Sequence, residues 1–267
     1  MRSQLGTAGI GRSRVPLLAY YVVLLALLYL PIGLLFLFSV SANKTLSFPI
    51  TGLTLDWYAQ LGDSSAVLGA ARNSLLVALG ASTGATVLGT AVSILALRYD
   101  FRGKNLLLGL AVMPLIVPFV VLGVALLLLF RAVGIPLSLL TIGVAHTVVA
   151  LPFTLLIIIS RLNGFDPRLE DAAMDLGASY PITLGRVVLP IIAPALVSAW
   201  ITAFTVSFDE FALALFLAGT SPTFPVYLFS QLRFANRLPI MIALAVLMMI
   251  GTLLLVLFAE RIRRRNP

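Results

Sequence analysis

Charge, cysteine and histidine are all scarce in this sequence. Only 10% of its 267 residues are charged, cysteine is absent, and the single histidine is His146. Disulfides and thiolate metal sites are therefore excluded, and one histidine cannot form a histidine metal cluster. The Gly103-Lys104 pair lacks the upstream glycine and the following Ser or Thr of a phosphate-binding loop. No catalytic set is visible, so we expect a chain that is not an enzyme and binds no metal, ATP or other cofactor itself.

Apolar residues dominate the composition instead. They make up 60% of the chain, and the mean hydropathy is +1.09, well above the values of soluble domains. A helix needs about 20 apolar residues to span a bilayer, and six runs qualify. The first run is longer than the apolar core of a signal peptide, which favours an uncleaved span. The predicted spans are Pro16–Val40, Ala66–Leu97, Asn105–Phe130, Leu137–Ile159, Pro190–Leu217 and Pro239–Ala259.

The sequence therefore predicts an all-α polytopic membrane protein with six transmembrane helices. One membrane domain at 15–259 is expected between an N-terminal tail at 1–14 and a basic tail at 260–267. In the third span, Pro114 and Pro118 predict a kink. In the second, small residues including Gly84 and Gly89 predict close helix packing.

Basic residues predict the orientation of these spans. The net charge is +8, but Lys and Arg are scattered at the ends of apolar runs, so no nucleic-acid patch is indicated. Most of them fall in the tail 1–14, the 98–104 loop, the 161–186 loop and the tail 260–267. The positive-inside rule then places both termini and the 161–190 loop in the cytoplasm. The opposite side carries Gly219 to Leu238, where we expect irregular or partly helical structure.

The loop from Arg161 to Pro190 is the most polar stretch between two spans. Asp166 as N-cap followed by Pro167 predicts the start of a short helix. Gly177 predicts its end, Pro181 is expected to prevent the helix from resuming, and Pro190 to open the next span. A short helix outside the bilayer is the expected result.

The spacing in this loop resembles the EAA loop of binding-protein-dependent ABC importer permeases. The matching residues are Asp171-Ala172-Ala173, Gly177 and Leu189-Pro190. Two positions depart from the pattern: Asp171, preceded by Glu170, replaces the usual Glu, and Val187 replaces the usual Ile. Since several fixed offsets coincide between two spans, the match is specific. It assigns ATPase coupling to Glu170, Asp171, Ala172, Ala173, Gly177, Leu189 and Pro190.

The resemblance also implies a fold and a set of partners. The fold would be that of a type I ABC importer permease in the bacterial inner membrane, surrounded by lipid. Its partners would be a second permease in a heteromer, two cytoplasmic ATPase subunits that bind ATP and Mg²⁺, and an extracytoplasmic substrate-binding protein. A secondary transporter is a weaker alternative, because no repeated halves are visible. A channel or scaffold would need no docking helix.

Asp209 and Glu210 lie in the fifth predicted span, within TVSFDEFALALF. Carboxylates at membrane depth usually face a water-filled path, pair with a cation or mark a substrate route. Adjacent helical residues differ by about 100°, so we expect only one of the two to face the path. The alternative places both near the external interface, paired with Arg233 or Arg237.

An aromatic stripe is predicted beside these carboxylates. Trp200, Phe204, Ser207 and Phe211 recur at spacings of four, three and four, with Phe208 close by. Aromatic faces with carboxylates suit an organic ammonium ion, although such stripes are more often core. His146 has no acidic or nucleophilic neighbour at helical spacing, so a packed or cavity-facing histidine is expected.

The stretch SFDEF, followed by FPVYLFSQLRF, resembles spermidine/putrescine importer permeases of the second-permease type. This resemblance implies a polyamine or related organic cation as substrate and includes Asp209, Glu210, Trp200, Phe204, Ser207, Phe208 and Phe211 in the substrate path. Relatives with this architecture also move opines, phosphonates, thiamine and ferric iron, so those substrates remain alternatives.

Overall fold

The structure is a computed structural model that describes residues 14–265. Most of the expected tail 1–14, and the last two residues of the tail 260–267, lie outside the described residues. Within residues 14–265 the fold is helical, with one isolated bridge between Ser41 and Leu53. The helices are α1 (Arg14–Ser39), α2 (Asp56–Gly62), α3 (Ser65–Arg98), α4 (Lys104–Val112), α5 (Phe119–Ala132), α6 (Leu139–Asn163), α7 (Arg168–Asp175), α8 (Tyr180–Thr183), α9 (Leu189–Asp209), α10 (Ala212–Leu217), α11 (Phe224–Gln231) and α12 (Leu238–Arg265).

Six spans are confirmed when the bent pair α4 and α5 is taken as one. The other five are continuous helices long and apolar enough to cross a membrane. The first, second, fourth and sixth spans, α1, α3, α6 and α12, begin within about two residues of the predicted positions. Hydropathy locates these helices well because the bilayer offers no water to satisfy an interrupted backbone.

The third span is broken, not merely kinked. The helices α4 and α5 meet at an angle of 110°, so the prediction of one helix from Asn105 to Phe130 is wrong. Pro114 lies in a tight turn at Met113–Leu115, and Pro118 lies immediately before α5. The prolines were therefore correctly identified as the cause. Two of them four residues apart interrupt the hydrogen-bond ladder more thoroughly than one.

The fifth span differs from its prediction at both ends. It begins at Tyr180, because α8 continues through a widened turn at Leu184–Val188 into α9. Pro181 does not prevent the helix from resuming: it lies in the first turn, where its missing N–H would have no partner. At the other end α9 stops at Asp209, since Glu210 is extended, with φ −71° and ψ 122°. The helix then resumes as α10.

The helices α3, α6 and α9 form the centre of the bundle. A Cβ on Gly84 would lie 3.2 Å from Thr147 Oγ1, and a side chain on Gly89 would clash with Thr154. The Thr154 hydroxyl also donates to Ala85 O at 2.8 Å. These contacts confirm that the small residues of the second span serve helix packing. In contrast, α1 lies on the outside of the bundle and most of its apolar side chains are exposed.

The end of the bundle opposite α7 is closed by short helices. Trp57 Nε1 on α2 donates to Ser41 O at 2.8 Å. The hydroxyl of Ser74 on α3 accepts from Phe224 N, also at 2.8 Å. The Gly219 to Leu238 segment contains α11 and a tight turn at Ala235–Arg237, so the prediction of partly helical structure is confirmed.

Candidate functional site

The polar loop between the fourth and fifth spans contains the predicted helix. Asp166 Oδ1 accepts from Arg168 N at 3.0 Å, but Pro167 occupies the N-cap position, because α7 begins one residue later than predicted. Gly177 ends the helix with φ +88°. Its N–H donates to Met174 O at 2.9 Å, and Ala178 N donates to Ala173 O at 3.1 Å. These two bonds form a Schellman motif, which requires the left-handed conformation that glycine adopts without strain.

One face of this loop is exposed and partly apolar. Asp171, Ala172 and Gly177 are exposed, and Ala173 is half-buried. The side chain of Leu176 is 90% exposed, and because it lies outside the spans it is not covered by lipid. Exposed apolar side chains with carboxylates around them are typical of a protein docking surface. Docking of an ATPase here stays a prediction.

Three of the residues assigned to coupling lie elsewhere. Glu170 is only 6% exposed and forms an ion pair with Arg98, the last residue of α3. Leu189 packs against a buried cluster that includes Ile192, and Pro190 is exposed in the first turn of α9. The structure therefore separates the seven residues into an exposed helix face, a buried carboxylate and the base of the fifth span.

Glu210 is buried at the break of the fifth span. Its carboxylate accepts from Leu213 N at 3.0 Å and from Ala214 N at 3.2 Å, which satisfies amides at the start of α10. Its Oε2 lies 3.2 Å from His146 Nε2, and His146 Nδ1 lies 2.8 Å from Ser207 Oγ. Glu210, Ser207 and His146 thus form one buried polar cluster that joins α6 to the break.

Sequence reasoning missed this cluster, because it sought neighbours of His146 within α6 only. A signal was available. A histidine in an apolar span needs a polar partner, and Asp209 and Glu210 are the carboxylates predicted within a span. The expectation of a packed histidine is confirmed, but its partners come from the fifth span.

Asp209 faces a different direction from Glu210. It is exposed, and its Oδ1 accepts from Thr252 Oγ1 on α12 at 3.0 Å. It borders a groove of about 490 Å³ whose other walls are mostly apolar side chains of α12. The alternative pairing with Arg233 or Arg237 is wrong among the described residues. Arg237 donates to Gln231 Oε1 at 2.6 Å, and Arg233 lies over the Phe234 ring at 5.0 Å.

Three hydroxyl residues share the face of α9 that carries Asp209. Ser198, Thr202 and Thr205 precede Asp209 at spacings of four, three and four, which places all four on one face. These three hydroxyl residues line a second groove, of about 820 Å³, between α6, α9 and α12. Val256 of α12 borders both grooves. A polar strip therefore leads from the break of the fifth span toward the end of the bundle that carries α7.

The aromatic residues form a stack on another face of α9. The rings of Trp200 and Phe204 lie 5.5 Å apart, and those of Phe204 and Phe208 lie 5.7 Å apart. The predicted stripe is interrupted before Phe211, whereas Ser207 lies in α9 at the predicted spacing from Phe204. Ser207 contacts His146, and Phe211, which follows the break, packs on Phe229 with ring centroids 4.9 Å apart. The stack is therefore Trp200, Phe204 and Phe208, and it does not share a face with Asp209.

No group of three or more metal-ligating side chains occurs among residues 14–265.

Known proteins resemble the chain along most of its length. Residues 66–266 match the family described as binding-protein-dependent transport system inner membrane component. The spermidine/putrescine transport system permease protein PotC of Haemophilus influenzae is 36% identical over 249 residues, which cover 93% of this chain and 96% of that relative. The putrescine transport system permease protein PotI of Escherichia coli K12 is 36% identical over 214 residues, covering 77% and 76%.

Solved structures show the same fold at lower identity. A chain of a bacterial ABC transporter that imports the acidic polysaccharide alginate superposes with a TM-score of 0.69 at 17% identity, covering 93% of both chains. The inward-facing MetNI methionine ABC transporter gives a TM-score of 0.61 at 20% identity, covering 75% of this chain and 96% of that one. The type I ABC importer permease fold is thereby confirmed. This multi-pass chain is a transport subunit and not an enzyme, and it belongs to the family of inner membrane components of binding-protein-dependent transport systems.

Proposed function

We propose that this chain imports a polyamine or a related organic cation, as one permease of a heteromeric ABC importer. The relatives PotC and PotI are named for spermidine and putrescine, and the resemblance to PotC extends over 93% of the chain. The second permease, two cytoplasmic ATPases that bind ATP and Mg²⁺, and an extracytoplasmic binding protein complete the complex. Both termini and α7 lie in the cytoplasm, as the basic residues favour.

Coupling uses the exposed face of α7. Asp171, Met174 and Leu176 present a carboxylate and apolar surface to the ATPase groove. ATP-driven closure of the two ATPases displaces α7 and switches the spans between outward-open and inward-open states.

The observation that carries the cation assignment is Asp209, an exposed carboxylate at the break of the fifth span. A carboxylate at that depth lowers the barrier for a cation and raises it for an anion. The hydroxyls of Ser198, Thr202 and Thr205 continue the polar strip, and can accept hydrogen bonds from ammonium groups. The ring stack of Trp200, Phe204 and Phe208 lies on another face of α9. These rings therefore pack beside the path and do not line it.

The experiment is the ATPase activity of the purified complex with its binding protein, across polyamines, opines, thiamine, phosphonates, ferric iron and molybdate. Molybdate belongs in the panel because a probable molybdenum permease of Haloferax volcanii is 33% identical over 168 residues, 60% of this chain. We expect stimulation by putrescine or spermidine alone. Stimulation by an anion or a metal ion only would overturn the polyamine assignment and leave the importer in place.

A further inference from the structure

The end of the second span is attached to both flanks of the coupling helix. Arg98, the last residue of α3, forms an ion pair with Glu170 in the first turn of α7. The Arg98 guanidinium also lies over the ring of Phe165, which precedes α7, at 5.6 Å. The ring of the next residue, Tyr99, packs edge-to-face with the ring of Tyr180, which follows α7, and the ring centroids lie 6.4 Å apart. The contacts of one short segment therefore bracket the helix.

The chemistry of the Arg98–Glu170 pair makes it a strong contact. The side chains are 22% and 8% exposed, so water screens them poorly. Arg98 is the last residue of α3 and Glu170 lies in the first turn of α7, so each charge interacts favourably with the dipole of its own helix. Charge-assisted hydrogen bonds of arginine to carboxylate are about twice as strong as neutral ones. The Phe165 ring adds a cation–π contact that fixes the guanidinium plane.

The helix that carries Arg98 is locked to the rest of the bundle. Next to this end, Ile94 and Leu97 pack on the buried cluster formed by α6 and the base of the fifth span. Further along, Ser93 Oγ lies 3.5 Å from Leu155 O, and Gly89 allows the Thr154 side chain to approach closely. A close-packed helix pair moves as a unit instead of deforming. A displacement of α7 must therefore move α3 or break the ion pair.

We infer that Arg98 and Glu170 form a clamp through which α7 moves the second span. The chain connects α7 directly to the fourth and fifth spans only, and the ion pair adds a direct contact between α7 and the second span. Glu170 then belongs to the permease interior, while its neighbour Asp171 faces the ATPase. The inference rests on the proposed coupling function of α7 and assigns Arg98, outside the loop, as a positioning residue for transport.

The test compares Arg98→Gln and Glu170→Gln with Lys104→Gln in the reconstituted complex. Lys104→Gln is a matched control. It also removes a basic charge and an ion pair at this end of the bundle, with Asp100 at 3.0 Å, but that pair does not touch the loop. We expect ATPase docking and basal hydrolysis to persist in Arg98→Gln and in Lys104→Gln. Solute imported per ATP hydrolysed should fall about tenfold in the two clamp variants, a loss in the range of allosteric couplings, and stay unchanged in the control.

A charge swap separates a specific clamp from general damage. Arg98→Glu combined with Glu170→Arg restores the pair but opposes both helix dipoles, so we expect partial recovery of the import ratio. If Arg98→Gln fails to fold, Arg98→Lys replaces it in the comparison, because lysine keeps the positive charge and lacks the planar guanidinium group. A swap no better than the single variants, or an import ratio in Arg98→Gln equal to that of the control, would overturn the clamp.

A second readout does not depend on the substrate. Hydrogen exchange of the α7 amides in the complex should be faster in Arg98→Gln than in Lys104→Gln, since the clamp limits local opening. Equal exchange contradicts the inference. If the complex imports a solute other than a polyamine, the ratio is measured with that solute, so only the substrate proposal fails. If the chain assembles with no ATPase, the coupling proposal and the clamp fail together.

Discussion

The polar loop at 161–190 and the broken fifth span each bury one of two adjacent carboxylates and expose the other, in opposite orders. Each contains two adjacent acidic residues, Glu170-Asp171 and Asp209-Glu210. In the loop the first carboxylate is buried against Arg98 and the second is exposed. In the span the first is exposed and the second is buried against His146 and backbone amides.

The comparison separates carboxylates that are paired inside the chain from carboxylates that are open to a partner outside it. A buried carboxylate needs a full set of partners, because an unpaired charge is expensive away from water. Glu170 is paired with Arg98, and Glu210 accepts from two backbone amides and lies beside His146. Asp171 and Asp209 have exposed side chains that remain accessible to a partner protein or a solute. Substitutions should therefore lower the melting temperature at the glutamates and weaken binding at the aspartates.

The largest effect is expected for Glu210→Ala. It removes the acceptor of Leu213 N and Ala214 N and leaves His146 without its carboxylate, all in a buried site. We expect a loss of about 3 kcal/mol or more in the free energy of unfolding. Thermal unfolding in detergent measures it, with Asp209→Ala as the neighbouring control. Equal melting temperatures for the two variants would show that burial does not distinguish them.

The next largest effect is expected for Gly177→Ala, which changes the backbone at the end of the helix that carries Asp171. Gly177→Ala places a side chain at φ +88°, which costs about 1–2 kcal/mol although a Cβ meets no atom within 4 Å there. Gly185→Ala is the control, because its Cβ also meets nothing within 4 Å but its φ is not in the left-handed region. We expect weaker retention of the ATPase on an affinity column for Gly177→Ala only. Gly177→Asn should lose less, since asparagine tolerates this conformation.

Asp209→Asn tests the exposed carboxylate of the span. The amide retains a partner for Thr252, so the melting temperature should not change. The KM for polyamine uptake into proteoliposomes should rise about tenfold, since one charge contact with an ammonium group is lost. Thr252→Val, which removes the hydroxyl and keeps the carboxylate, is the control. Unchanged uptake in Asp209→Asn would remove Asp209 from the path.

Most of the fold could be predicted from the sequence, because a membrane span leaves a long apolar run and a break usually leaves prolines. Pro114 and Pro118 marked the break of the third span. The break after Asp209 leaves no such mark, since the apolar run continues to Leu217 and the interruption depends on Glu210 capping α10. The same carboxylate lies 3.2 Å from His146, which is on another helix.

The candidate sites were predictable in position but not in direction. Helical geometry correctly required one carboxylate of the fifth span to face away from the other, but the choice depended on tertiary partners. In the loop, the fixed offsets identified α7, whereas the Arg98 contact joins residues 72 apart in sequence. Local spacing contains no information about a contact of that range.

The smallest effect is expected for Asp171→Asn, and it is the most specific test of the comparison. Its side chain is exposed and forms no ion pair or hydrogen bond identified among the described residues, so the melting temperature should stay unchanged. Affinity for the ATPase should fall about twofold to fivefold, the range of an exposed charge contact, and the difference should shrink at high salt. Asp63→Asn, an exposed carboxylate at the opposite end of the bundle, should change neither quantity. A drop in melting temperature as large as that of Glu170→Gln would mean that both acidic residues of the loop support the fold, and the division between glutamate and aspartate would then hold only in the membrane.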